Sequence, residues 1–163
     1  MEMVALGIGI LAVATTVMTI LLRPRLRESR LASQRLQGRN TFAAARKDLE
    51  AKFFTLSAQS GRPRGLSWLH CDFAETVTFA RDTNSGELRA LVGMTIQFQA
   101  IAGGDMEDNP NATNLRAATA VFSFEAGQWS TAGRTIFNLN PVETITHFKH
   151  KLQVLEEAEG TDG

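Results

Sequence analysis

Several things this chain lacks narrow what it can be. Its single cysteine, Cys71, leaves no partner for an internal disulfide, which suits a reducing compartment. It carries no Gly-x4-Gly-Lys-Ser/Thr, no His-Glu-x-x-His, no Cys-x-x-Cys and no Gly-x-Ser-x-Gly. No phosphate-cradling loop, helical zinc pair, paired-thiol site or nucleophile elbow can therefore be assigned. The chain has zero net charge and no internal repeat. Residues 3–22 contain no charged side chain, and no Lys or Arg precedes them.

That uncharged run is what is there. Twenty helical residues at ~1.5 Å each span ~30 Å, about the hydrocarbon thickness of a bilayer. A cleaved signal peptide would need a basic start, a shorter apolar core and a small-x-small exit. Here only Met1 and Glu2 precede the run, and Arg23, Pro24 and Arg25 follow it. A buried core helix would keep a polar stripe. The expectation is an uncleaved single-pass anchor at residues 1–22, with the lipid bilayer as partner through 3–22.

Six arginines (Arg23, Arg25, Arg27, Arg30, Arg35 and Arg39) lie on the C-terminal side of the run. The positive-inside rule then puts the N-terminus outside a cell (inner or plasma) membrane and the rest in the cytoplasm. Ala5 and Gly9 form one small-xxx-small pair, which permits a transmembrane dimer. Residues 23–47 hold eight Arg and Lys against the single Glu28, whereas residues 48–163 hold nine basic and fifteen acidic residues. The zero total thus hides a basic collar and an acidic remainder. Residues 23–40 read as a basic juxtamembrane linker. Its Arg23, Arg25, Arg27 and Arg30 are placed to meet anionic headgroups, at ~1 kcal/mol per close basic residue. No aromatic stacking residue lies between Arg23 and Arg39, so no nucleic acid is expected.

Residues 41–157 suffice for one domain with a core, and residues 158–163 read as a disordered acidic tail. Gly38-Arg39-Asn40-Thr41 reads as a break, with Asn40 or Thr41 capping a new helix. Phe42, Ala45, Leu49, Phe53 and Leu56 then form one apolar helical stripe. From Leu66 the period becomes two. Short strands are expected at 66–73 and 76–82, with a turn at 82–86. Leu88, Ala90, Val92, Met94, Ile96, Phe98 and Ala100 share one face of a long strand, and Arg89, Thr95, Gln97 and Gln99 the other. Strands follow at 115–125 and 128–139, turned by Ala126-Gly127. Asn140-Pro141 opens a last helix whose inward stripe is Val142, Ile145, Phe148, Leu152 and Leu155.

The expected fold is therefore α+β: a transmembrane helix, a second helix, an antiparallel meander of four or five strands and a final helix. In architecture, though not in any motif, it resembles the curved sheets of cystatin-like and NTF2-like domains wrapped around a helix. The resemblance carries over no residues.

Four clusters carry candidate chemistry. Asp105, Glu107, Asp108 and Asn109 crowd the loop 102–114 with oxygens suited to a cation or a protein partner. Pro110 and Arg116, where a calcium loop needs Gly and Glu, exclude an EF-hand. Glu143, His147 and His150 would share a helical face, but it is the solvated one, beside Lys149 and Lys151. His70 and Cys71 adjoin, yet neighbours on a strand point to opposite faces, so no nucleophile–base dyad forms. Trp68, Gln97, Gln99 and Trp129 could line a concave sheet pocket. The reading that follows is a protein-interaction or assembly module, partnered by another protein or by its own copies, with no catalytic residue, metal or cofactor. A small-molecule or weakly catalytic pocket in the curved sheet is the rival.

Overall fold

The structure, a computed structural model, describes residues 2–60 and 65–155, and the side chains of residues 2–22, 24 and 60 are not among those described. The acidic tail expected at 158–163 lies outside the described residues, as do the side chains of the apolar run. Among the described residues no helix is long and apolar enough to cross a membrane.

The chain is α+β: a long helix followed by an antiparallel sheet of six strands. Helix α1 covers Glu2–Ser60. Strands β1 (Leu66–Asp82), β2 (Leu88–Ala100), β3 (Arg116–Glu125), β4 (Gln128–Ser130) and β5 (Thr135–Phe137) follow. Helix α2 (Pro141–His147) and strand β6 (Leu152–Val154) complete it. Two compact units arise, Met1–Gln34 and Arg35–Gly163. The first holds only helix, and its Arg23, Arg25, Arg27 and Arg30 are exposed.

The break expected at Gly38–Thr41 is absent, because α1 runs straight through it. Tertiary packing overrides the local cap signal here. Gly38 is buried against Leu88 and Phe124, and its carbonyl accepts a hydrogen bond from Trp129 Nε1 at 3.0 Å. Thr41 turns its hydroxyl back to the carbonyls of Gln37 and Gly38. The stripe that follows is the expected one at Phe42, Leu49 and Phe53, all 6% exposed or less.

The sheet order is β4-β3-β2-β1-β6, with β5 also paired to β3. The alternation in β2 holds. Leu88, Ala90, Val92, Met94, Ile96 and Phe98 are buried on the face toward α1. Where two strands were expected between 66 and 82 there is one. Its register shifts between Trp68 and His70 and again between Phe73 and Val77. Such bulges bend a strand and sharpen its twist. Arg46 of α1 braces the second by donating to the carbonyls of Glu75 (2.6 Å) and Ala74 while its Nε meets Glu50 at 2.6 Å.

Ala126 and Gly127 both have positive φ, the two-residue hairpin turn that matches strand twist, and join β3 to β4. The single strand expected over 128–139 is split by residues 131–134. There Gly133 comes against α1, its carbonyl accepting from Ser57 Oγ at 2.9 Å.

The last helix is shorter than its periodicity predicted. Its start is as expected: Asn140 caps Glu143 N–H, Glu143 returns a bond to Asn140 N–H, and proline is in the first turn. The helix ends at His147, however, with Val142 65% exposed and Thr144 fully buried, so the expected inward stripe does not form. The chain turns after Phe148 and adds β6 to the edge of β1 at Ala80–Asp82. Pairing a sheet edge outweighed one further helical turn.

Candidate functional site

A site on this fold could sit on the concave face of the sheet, in the 102–114 loop, or on the convex face. Among the described residues the concave face is packed along α1, and a cleft of about 260 Å³ remains at one end of it, lined by Leu66, Phe98, Arg116, Phe137 and Asn138. The Phe42 ring meets Phe79, Phe122 and Trp129 at centroid distances of 5.8, 5.7 and 4.7 Å. Phe53 meets Phe73 and Phe122 at 5.8 and 5.6 Å. Trp68 packs on Phe98 at 5.4 Å and Phe54 at 6.3 Å. The four residues expected to line a pocket are thus divided. Trp68 and Trp129 belong to the core cluster or its margin, while Gln97 and Gln99 stand on the opposite face of β2.

The 102–114 loop is ordered by its own polar groups. Glu107 accepts from Gly103 N–H at 2.7 Å, and Asn109 Oδ1 accepts from Asn111 N–H at 2.9 Å. Asp105, Glu107 and Asp108 are exposed, Asn109 half-buried. Beneath them Ala112 (3% exposed) and Met106 pack on the core, so the loop closes one end of the sheet. Among the described residues no group of three or more His, Cys, Asp or Glu is placed to hold a metal ion. His150 lies beyond α2, and Glu143 is occupied with its cap.

Cys71 and His70 do not meet. The His70 Nε2 lies 2.9 Å from Asp72 Oδ1 on the exposed side. Cys71 Sγ turns to Met94 Sδ at 3.4 Å. The bulge after Trp68 sets this phase, bringing Trp68, Cys71 and Phe73 to the inner side and exposing Leu69 (49%). The thiol is pushed up from 9.0 to about 12, first by burial and then by the charges of Asp72 and Glu50. At pH 8 its thiolate fraction is then lower by on the order of a thousandfold, and the thiolate is the nucleophile. Iodoacetamide should modify Cys71 at least a hundredfold more slowly in the folded protein than in urea, read by mass spectrometry; equal rates would refute burial of the thiol. The same shift has a sign for stability. Above about pH 9 the unfolded thiol ionises while the folded one stays neutral, so stability falls as pH rises towards 12. Cys71→Ala should flatten that alkaline slope.

The convex face carries features with no sequence signal. Leu91 and Thr119 are fully buried there, Thr119 Oγ1 donating to Leu139 O at 2.7 Å. Beside them a cleft of about 260 Å³ is lined by Asp82, Arg89, Arg134, Phe148 and Lys151, among others. Burial would raise the Asp82 carboxyl, but the Ser85 and Asn84 N–H groups and Arg89 outweigh it and hold it below its ordinary value. These residues come from four separate stretches of chain, and no motif or spacing joins them.

The fold and its surfaces define a helix-filled antiparallel α+β domain. No family model matches the chain, nor does any curated protein or solved structure. The expected resemblance to cystatin-like and NTF2-like sheets gains no support from these comparisons, and what stands is the α+β class.

Proposed function

We propose that this chain is a single-pass membrane protein, N-terminus outside, that presents its α+β domain in the cytoplasm as an interaction or assembly module. The observation that favours this reading over the pocket rival is the packing of the concave face, where Phe42, Leu49 and Phe53 of α1 are buried in the core. A hollow lined by a few polar groups is the usual form of a small-molecule site. The membrane part is supported by the uncharged run at 3–22 and the arginines behind it. Arg23, Arg25, Arg27 and Arg30 then mark topology and contact anionic headgroups. The partner is a second protein or another copy of this chain.

A quadruple variant, Arg23→Gln, Arg25→Gln, Arg27→Gln and Arg30→Gln, tests the topology with a C-terminal reporter. Wild type should report from the cytoplasm and the variant should become mixed or inverted. Extraction of the wild type by alkaline carbonate would sink the membrane reading outright. Crosslinking of the intact chain should capture one stoichiometric partner or a homo-oligomer. A chain that stays uncrosslinked but gains thermal stability with a small-molecule panel would favour the pocket rival instead.

A further inference from the structure

The convex cleft holds charged groups that the interaction reading does not use. Its Arg89 guanidinium is taken up by Glu125 (2.8 Å), Glu87 (3.3 Å) and Asp82 (3.5 Å). Arg134 and Lys151 also line it, on either side of Phe148, and among the described residues neither has a carboxylate within ion-pair distance. Their backbones are fixed. Arg134 O accepts from Val121 N–H at 3.1 Å, and Lys151 O accepts from Thr83 N–H at 2.9 Å. The Arg134 guanidinium lies 5.9 Å from the Phe148 ring centroid, within cation–π range. Val121, Ile136, Phe148 and Leu152 give the cleft an apolar lining that is half-buried, not sealed.

We infer that this cleft binds a small monoanion: a carboxylate on a short apolar stem, with its head on Arg134 and Lys151 and its stem on the apolar lining. Each feature selects part of that ligand. Two cations left unmatched on fixed backbones favour an oxyanion, and Arg presents paired donors suited to a carboxylate. Arg89 is already held by Asp82, Glu87 and Glu125, so the head falls to Arg134 and Lys151. Apolar side chains exposed to a concavity gain when a stem displaces water from them. A volume of about 260 Å³ lies just under the usual range for drug-sized ligands and excludes a nucleotide.

Sodium hexanoate, inorganic phosphate and hexanol are the probes, titrated calorimetrically into the full-length chain at low salt. Wild type and variants are compared in the same medium. Hexanoate should bind saturably, one per chain, at least tenfold more tightly than phosphate or hexanol. Arg134→Gln and Lys151→Gln should each weaken it several-fold, and the double variant at least tenfold. Both side chains are exposed, so circular dichroism and melting should be unchanged. If hexanoate does not saturate, or binds the double variant as well as wild type, the site is refuted. Equal binding of phosphate would remove the stem from the proposal, and equal binding of hexanol would remove the head. None of these outcomes depends on the membrane anchor.

Discussion

Replacing Phe53 by alanine is expected to lower the unfolding free energy by about 3–5 kcal/mol, the range for emptying a buried aromatic site. Phe53 has no exposed surface, and its ring lies between Phe73 of β1 and Phe122 of β3. Those two strands flank β2, so the ring ties α1 to both sides of the curved sheet. Neither neighbour can close the gap without moving its strand. Urea unfolding followed by tryptophan fluorescence measures the loss. Since whole domains are stable by only 5–15 kcal/mol, the variant should be marginal or partly unfolded at 37 °C. A loss under about 1 kcal/mol would mean that α1 does not fill the sheet, and would reopen the pocket reading.

Gly38→Val should cost about 2–4 kcal/mol, although helix propensity alone ranks valine above glycine in a helix interior. A Cβ at this position would lie 2.6 Å from Leu88 Cδ2 and 2.9 Å from the Phe124 ring. Both neighbours are buried, Leu88 at 1% and Phe124 at 4% exposed. Relief requires α1 to lift from the sheet, which strains the core and stretches the bond from Trp129 Nε1 to the Gly38 carbonyl. Thermal melting decides the sign. A stabilised variant would show that α1 does not approach β2 and β3 this closely.

Gly38 also shows where sequence reading stops. Taken with Arg39, Asn40 and Thr41, it has the composition of a helix break, and nothing local says otherwise. Only the approach of Leu88 and Phe124, fifty and more residues away, turns the glycine into a contact and keeps the helix intact. The 141–155 stretch fails for a related reason. Its apolar spacing fits a helix, but β1 leaves an edge at Ala80–Asp82, and the chain gains more by pairing there. The bulge at Leu69 has no signature either. It shifts the phase by one residue, so Trp68 packs inward beside Cys71 rather than facing away from it. Where alternation was uninterrupted, as in β2 from Leu88 to Phe98, each inward residue was legible in advance.

The candidate sites divide in the same way. The acidic loop, the Gln97–Gln99 pair and the His70–Cys71–Asp72 run were visible as sequence clusters, yet the fold gives them turns, an outer face and a strand bulge. Arg134, Lys151 and Phe148 were visible only as separate residues.

The sequence by itself determined the α+β class, the apolar stripe of α1, the inward face of β2, the cap at Asn140 and the asymmetry of charge. These follow from periodicities of 3.6 and 2 and from backbone chemistry within a few residues. The tertiary structure alone decided where α1 continues, where α2 ends, which face Trp68 takes, that α1 packs along the concave side, and that a cleft lined by charged groups forms on the convex side. Those features depend on contacts between segments far apart in the chain, and a local pattern carries no record of what will pack against it.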